Sequence, residues 1–257
     1  MQRLRAGTLQ LEAAPCDAGS HSPSRFAAHP VTDPPPFDGH TVRGVVFDLD
    51  GTLIDSYGPI TASLNHARQQ LGMPALAQED VRRRVGRGLE ALIAELVGPR
   101  HVGDGVRWFR ERYAEVYAEG TAILPGVHET LHALHDTGHR VGVASNKPAR
   151  FSRPILERLG LAPFVSCIMG PDIVASTKPD PTMILRCLEL LGVHPGEAVY
   201  VGDMVLDVES AARAGLSVLL VAGGSSTREE LEGTGQRLLE SIDALPELLG
   251  ATPGETR

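Results

Sequence analysis

An apolar run that ends in two closely spaced acids is the feature that most constrains the fold of this chain. Residues 45–47 read Val-Val-Phe, which is typical of a strand buried inside a parallel sheet, and Asp-Leu-Asp-Gly-Thr follows at 48–52. Because strand side chains alternate in direction, Asp48 and Asp50 project toward one side where the strand ends. Ligands bind at the carboxyl ends of parallel strands, so the sequence predicts an α/β fold with a site here.

The two acids have two chemical interpretations. Paired carboxylates suit a hard cation such as Mg²⁺, and a cation that screens Asp48 would let this carboxylate attack a phosphorus centre. Asp50 would then exchange a proton with the leaving group. A strand followed by an Asx-type turn with solvated acids explains the same residues. Taken alone, the two acids leave both interpretations open.

Composition excludes several classes of partner. The 257 residues carry a net charge of -8, which argues against nucleic acid and anionic membranes as main partners. No apolar run is long enough to span a bilayer. The three cysteines form neither a metal-ligand spacing nor a disulfide framework, which favours a reducing, cytoplasmic location. Only two of the 24 Lys and Arg residues are lysines, Lys147 and Lys178, so each of them is notable.

The chain divides into segments of different pattern. Residues 1–42 are rich in Pro, Ser and Ala without periodicity, and we expect a disordered N-terminal extension there. Residues 56–123 show helical spacing throughout, with the loop Gly86-Arg87-Gly88 between two of the predicted helices. From residue 124 to 250 helices and strands alternate, which predicts a parallel sheet covered on both faces. The last part, residues 229–249, is expected to be helical.

Three further predicted strand ends or loops carry polar residues. Ser145, Asn146 and Lys147 follow the predicted strand 140–144, where a hydroxyl and an amide can donate to phosphate oxygens, although Ser145 is also a plausible helix cap. Lys178 lies in a proline-rich turn and is either solvated or a counter-charge for phosphate. Asp203 and Asp207 lie four residues apart after the strand 198–201, over one face of a helix start. Two acids there complete an oxygen-rich cage for Mg²⁺.

These motifs resemble, in order, the four motifs of the haloacid dehalogenase-like (HAD) hydrolase superfamily. The helical insert between the first two resembles the C1-capped branch that includes phosphoglycolate phosphatases. The resemblance implies a Rossmann-like core formed by residues 43–55 and 124–250, with residues 56–123 inserted as a mobile helical cap domain.

The resemblance also implies roles for the motif residues. Asp48 is the expected nucleophile and Asp50 the expected acid/base, while Ser145 and Lys178 assist them. Two further sets are expected around these four. The expected metal site comprises Asp48, the Asp50 carbonyl, Asp203 and Asp207, and the expected substrate contacts are Thr52, Asn146, Arg87 and Lys147.

The function that this resemblance implies is Mg²⁺-dependent hydrolysis of a small phosphate ester, 2-phosphoglycolate, through an aspartyl-phosphate, by a monomer or homodimer. Dehalogenases of the superfamily lack the second acid, and phosphonoacetaldehyde hydrolases need a cap lysine that residues 56–123 do not contain. A β-phosphoglucomutase-like mutase stays open, because Arg87 falls near the position of that group's cap arginine. A receiver-like phospho-acceptor signalling or binding module is a further alternative from another class.

Overall fold

The computed structural model describes residues 37–251 of the chain. The predicted disordered extension therefore lies largely outside the described residues. Its last six positions, residues 37–42, are described: Gly39–Thr41 forms a short 3-10 helix, Phe37 packs against the core and Val42 is buried in it. The packed chain thus includes residues that the sequence assigned to the extension.

Strands in the described part of the chain form one large sheet and one small one. They are β1 (Gly44–Phe47), β2 (Ile54–Asp55), β3 (Ala122–Ile123), β4 (Arg140–Ala144), β5 (Cys167–Met169), β6 (Ala198–Gly202), β7 (Ser217–Val221) and β8 (Arg237–Leu239). The large sheet has the order β5-β4-β1-β6-β7-β8, and its pairs are all parallel. This topology confirms the predicted α/β class with a Rossmann-like parallel sheet.

Helices cover both faces of this sheet. Within residues 37–251 they are α1 (Tyr57–Gln70), α2 (Gln78–Arg82), α3 (Leu89–Leu96), α4 (Val102–Val116), α5 (Val127–Asp136), α6 (Ala149–Arg158), α7 (Pro171–Val174), α8 (Thr182–Leu191), α9 (Val205–Ala214), α10 (Arg228–Glu232) and α11 (Leu245–Leu248). None of these helices is both long and apolar enough to cross a membrane.

The burial of β1 explains its apolar sequence. Val45 and Phe47 belong to the core beneath α5 and α6, whereas Val46 belongs to the core beneath α8 and α9. All four residues of β1 are buried, and β4 and β6 pair with the strand on either side. A strand enclosed on every side needs apolar side chains on both faces, which is the pattern that the sequence shows.

The helices α1–α4 form a unit with its own core, between β2 and β3. Tyr57, Leu64, Ile93 and Phe109 belong to this core, in which α1 packs along α4. The strands β2 and β3 pair antiparallel, with Ile54 opposite Ile123, so the chain enters and leaves the helical unit side by side. The division of the chain into a core domain and a cap domain at residues 56–123 stays a prediction.

The C-terminal part differs from its predicted helical structure. Arg237–Leu239 forms the edge strand β8, which pairs parallel with β7, and the helical segments there are α10, α11 and the short 3-10 helix Ile242–Ala244. Leu239 is buried against the sheet. The sequence Arg-Leu-Leu is too short for its period to distinguish a helix from a strand, so pairing with the neighbouring strand decided the structure.

Candidate active site

The polar residues from the separate motifs meet at the carboxyl edge of the large sheet. Asp48 follows β1, Ser145 follows β4 and Asp203 follows β6, and these three strands are adjacent in the sheet. The three side chains are buried, with relative exposures of 3%, 3% and 0%. Parallel strands that end together bring side chains from distant parts of the sequence to one place.

Three carboxylates are clustered at this edge. Asp48, Asp203 and Asp207 each place an oxygen within 4.8 Å of the others. Burial raises the pKa of Asp48 to about 6, although the Lys178 ammonium opposes this shift. Burial and then the charges of Asp207 and Asp48 raise the pKa of Asp203 well above its ordinary value. Oδ1 of Asp48 also lacks a well-aligned hydrogen-bond partner in the described residues. Crowded, desolvated carboxylates fit a divalent cation.

Asp203 is held by two donors, one of which the sequence analysis missed. The Thr52 hydroxyl donates to its Oδ1 at 2.8 Å, and the backbone N–H of Ser225 donates to its Oδ2 at 2.6 Å. Thr52 was expected to contact substrate, but its buried hydroxyl is committed to Asp203 instead. Ser225 lies in the loop after β7, and no local motif marks it.

Lys178 is the buried cation of the carboxylate cluster. Its Nζ lies 2.9 Å from Asp48 Oδ2 and 2.7 Å from Asp207 Oδ1, and it donates to the Tyr200 hydroxyl at 3.2 Å. Burial lowers the pKa of Lys178, but the two carboxylates raise it by a larger amount, so the pKa lies well above its ordinary value. Tyr200 in turn donates to the Ala144 carbonyl at 2.7 Å. These contacts hold a charged ammonium against Asp48.

Asp207 bonds to protein groups through both of its oxygens. Its Oδ2 accepts the backbone N–H groups of Asp203 and Met204 at 3.0 and 2.9 Å, while its Oδ1 accepts from Lys178. Both oxygens therefore have partners from the protein. The sequence predicted Asp207 as a metal ligand; the structure places it in the cluster, but bound to the helix start and to the lysine.

Asp50 and Lys147 form the second buried ion pair of the site. The Lys147 ammonium lies 2.7 and 2.8 Å from the two oxygens of Asp50, and the Ser56 hydroxyl also donates to Asp50. The same ammonium stands 5.4 Å from the centre of the Tyr113 ring on α4. Burial lowers the pKa of Lys147, but Asp50 raises it further, so its pKa lies above the ordinary value. Lys147 thus fixes Asp50; it also lines the cavity described below, and its expected contact with substrate stays a prediction.

The other two predicted substrate contacts differ in position, because Asn146 lines the cavity described next and Arg87 does not. Asn146 is buried and donates to the Gly86 carbonyl at 2.7 Å. Its Oδ1 accepts the backbone N–H of Lys178 at 2.7 Å. Arg87 is exposed, and although its neighbours Gly86 and Gly88 line the cavity described next, Arg87 does not. The structure therefore does not bring the Arg87 side chain into the site.

A cavity of about 330 Å³ opens above these residues. Asp48, Asp50 and Ser145 line it from the sheet edge, and the helices α1, α3 and α4 line it from the opposite side. Its wall includes two arginines, Arg110 and Arg150, which the sequence analysis did not single out. Its apolar lining residues are Ile60, Val85, Leu89, Leu92, Phe109, Tyr113 and Phe151. The site can thus enclose a phosphate ester between a charged floor and a largely apolar cover.

Comparisons with known proteins agree with this geometry. A family model described as haloacid dehalogenase-like hydrolase matches residues 45–221. Phosphoglycolate phosphatase of Aquifex aeolicus is 36% identical over 183 residues, which cover 71% of this chain and 86% of that protein. Phosphoglycolate phosphatase of Pseudomonas putida is 33% identical over 222 residues, which cover 83% and 80% of the two chains.

A solved structure supports the same relationship. The crystal structure of a predicted phosphatase from Clostridium acetobutylicum superposes with a TM-score of 0.75 at 26% identity, covering 82% of this chain and 99% of that one. The family model spans more than half of the chain and includes every motif named above. The chain therefore belongs to the haloacid dehalogenase-like hydrolase family, and it is a phosphatase that is similar to phosphoglycolate phosphatases.

Proposed function

We propose that this protein is a Mg²⁺-dependent phosphomonoesterase that hydrolyses 2-phosphoglycolate or a similarly small phosphate ester through an aspartyl-phosphate at Asp48. The observation that carries the proposal is the environment of Asp48 at the cavity floor. Its Oδ2 lies 2.9 Å from the Lys178 ammonium, whereas its Oδ1 lacks a well-aligned partner in the described part of the chain. A carboxylate that is oriented through one oxygen and unpartnered at the other suits a nucleophile.

The reaction divides into two displacements at phosphorus. Asp48 Oδ1 attacks the phosphorus atom, an O–P bond forms, and the ester oxygen leaves with a proton from Asp50. Water then attacks the aspartyl-phosphate, gives a proton to Asp50 and releases phosphate, which restores the Asp48 carboxylate. Lys178 and the Ser145 hydroxyl face the negative charge of the transferring group. Lys147 holds Asp50 at the cavity wall throughout.

The metal belongs to the cluster of acids. Asp48, Asp203 and the Asp50 carbonyl would hold Mg²⁺, with Asp207 in their immediate surroundings. When bound, Mg²⁺ would offset the charge of these carboxylates and of the phosphoryl oxygens. Thr52 and Ser225 keep the carboxylate of Asp203 in a fixed orientation, which a cation site requires.

The substrate assignment rests on the relatives and on the cavity. Both curated relatives compared above are named phosphoglycolate phosphatase. The arginines that line the cavity, Arg110 and Arg150, offer guanidinium groups for a carboxylate at the other end of the substrate. Each is paired with an acid, Arg110 with Glu90 at 3.2 Å and Arg150 with Asp172 at 3.5 Å. We propose that residues 56–123 act as a cap domain that covers the bound ester.

A panel of phosphate esters with Mg²⁺ tests the proposal. We expect the highest kcat/KM for 2-phosphoglycolate, background turnover for Asp48→Asn, and unchanged turnover for the matched surface variant Asp136→Asn. Arg150→Ala and Arg110→Ala should raise KM for 2-phosphoglycolate more than KM for p-nitrophenyl phosphate, which has no carboxylate. Near-wild-type turnover by Asp48→Asn would refute the mechanism. Conversion of β-glucose 1-phosphate into the 6-phosphate would instead identify a mutase.

A further inference from the structure

Asn146 connects two parts of the active site, the loop at Gly86 and the segment that carries Lys178. It lies directly after β4, and its side-chain amide is only 9% exposed. The N–H of Lys178 must donate to an oxygen and the carbonyl of Gly86 must accept from a nitrogen, which leaves one assignment for the amide. Nδ2 therefore donates to Gly86 at 2.7 Å, and Oδ1 accepts from Lys178 at 2.7 Å.

The amide has little capacity left for a substrate. Nδ2 also reaches the Lys178 carbonyl at 3.4 Å, so the atoms of the amide face partners from the protein. Although Asn146 lines the cavity, its amide oxygen and nitrogen both bond to protein, so this arrangement suits a residue that positions its partners. Gly86 belongs to the loop between α2 and α3, and Lys178 is the cation beside Asp48.

The loop at Gly86 approaches the sheet edge closely for a reason that the sequence explains. Gly86 has a φ of +121°, and a Cβ at this position would lie 2.1 Å from Sδ of Met204. Met204 directly follows Asp203, the proposed metal ligand. Glycine adopts this φ without strain and leaves room for the Met204 side chain, so it lets the loop reach both Met204 and Asn146.

We propose that Asn146 is a positioning residue that links the helical unit α1–α4 to Lys178: it holds the Gly86 loop over the cavity and fixes the backbone of Lys178 with the same amide. This inference rests on the proposed phosphatase function. In this arrangement, closure of the helical unit over the cavity is coupled to correct placement of the Lys178 ammonium beside Asp48. Opening of the loop removes the Gly86 acceptor of Nδ2, so the amide is then held by its contacts to Lys178 alone and is less firmly oriented.

Hydrogen exchange tests the link without relying on activity. In Asn146→Ala, we expect exchange of the backbone amides of residues 81–92 to accelerate about two- to tenfold, the loss of one buried hydrogen bond. In Gly86→Ala, which keeps the carbonyl but strains the loop at its positive φ, we expect an acceleration at least as large. Asn65→Ala is the matched control. Asn65 makes the same two-ended amide bridge to Leu76, at 3.0 and 2.9 Å, but within the helical unit. It should leave the exchange of residues 81–92 unchanged.

Kinetics then separate positioning from substrate binding. With Mg²⁺, Asn146→Ala should lower kcat/KM by the same factor, about two- to tenfold, for 2-phosphoglycolate and for p-nitrophenyl phosphate, because the lost contact is to protein. The double variant with Gly86→Ala should lose less than the two single losses combined, since both changes weaken the contact between Asn146 and the Gly86 carbonyl.

Three results would overturn the inference. They are unchanged exchange of residues 81–92 in Asn146→Ala, a kinetic loss confined to one ester, and additive losses in the double variant. Gly86→Ala keeps the inference testable if Asn146→Ala does not fold, because it weakens the contact from the other side. If the wild-type protein hydrolyses neither ester, the proposed function fails, whereas the exchange comparison still decides whether Asn146 holds the loop.

Discussion

Replacing Lys178 by methionine should destabilise the protein strongly and in a pH-dependent manner. The ammonium is 1% exposed and lies within 2.9 Å of Asp48 and 2.7 Å of Asp207. Removing the cation from such a buried pair leaves uncompensated carboxylates, which costs about 3–5 kcal/mol of the free energy of unfolding. Methionine has a similar length and is apolar, so little of this loss comes from a cavity. At pH 7 without metal, protonation of Asp48 in the variant offsets part of this cost, so we expect a loss near the lower end of this range.

The loss should shrink on acidification. Without the ammonium, the pKa of Asp48, already raised to about 6 by burial, rises further, and the carboxyl is neutral at pH 5. A neutral Asp48 no longer needs a counter-charge, so we expect the difference between wild type and Lys178→Met to shrink by the part that Asp48 contributes.

Urea unfolding at pH 7 and pH 5 in the presence of EDTA measures both differences. The control is Arg213→Met, which breaks an exposed pair with Glu209 and should change the free energy of unfolding by less than about 1 kcal/mol at either pH. A loss below about 1 kcal/mol at pH 7 for Lys178→Met, or an equal loss at both pH values, would refute the reasoning.

Two further predictions concern the second ion pair and the metal. Lys147→Gln should reduce kcat by about 10-fold or more with little change in KM, because Asp50 loses the ammonium that contacts both of its oxygens while Asp48 is untouched. Steady-state kinetics on 2-phosphoglycolate measure this effect. A change confined to KM would contradict it. In EDTA, the folded protein binds an extra proton between the ordinary Asp48 pKa of 3.8 and the folded value of about 6, so stability should fall as the pH rises through this window. Asp48 contributes on the order of 3 kcal/mol to this change in stability, and the change should disappear in Asp48→Asn. Thermal unfolding from pH 4.5 to 7 measures the slope of stability against pH. An equal slope in both proteins would exclude Asp48 as its origin.

The positions of the candidate site residues could be predicted because a short local sequence pattern indicates each of them. A buried strand is an apolar run, and the polar residue that ends it must lie at the carboxyl edge of a parallel sheet. Asp48, Ser145 and Asp203 follow this rule, and once β1, β4 and β6 are neighbours, the residues meet. The same rule says nothing of which atoms pair there.

Pairing partners could not be predicted because they depend on distances across the fold. Thr52 donates to Asp203 across 151 positions, and Lys147 pairs with Asp50 across 97. Thr52 and Lys147 are polar and lie in or next to a motif, so the sequence cannot distinguish a contact with substrate from a bond that holds another site residue in place. Ser225 offers only its backbone N–H to Asp203, a donor that every residue except proline has. The edge strand β8 was missed because its three residues show no period.

The last prediction separates the two acids that follow β6. Asp203 is held by a hydroxyl and an N–H, both neutral donors, and no described cation binds it. Asp207 already balances Lys178 and accepts two N–H groups from the helix start. A divalent cation should therefore depend more on Asp203 than on Asp207.

We expect Asp203→Asn to weaken Mg²⁺ binding by at least 10-fold and Asp207→Asn by less, with isothermal titration of Mg²⁺ as the measurement. Asp207→Asn should mainly reduce kcat and stability, because its amide accepts with one oxygen only, so either Lys178 loses one of its two carboxylate contacts or the helix N–H groups are unpaired. Equal losses of Mg²⁺ affinity in the two variants would show that Asp207 is a ligand as good as Asp203. In that case the bond between Asp207 and Lys178 would have to open when the cation binds.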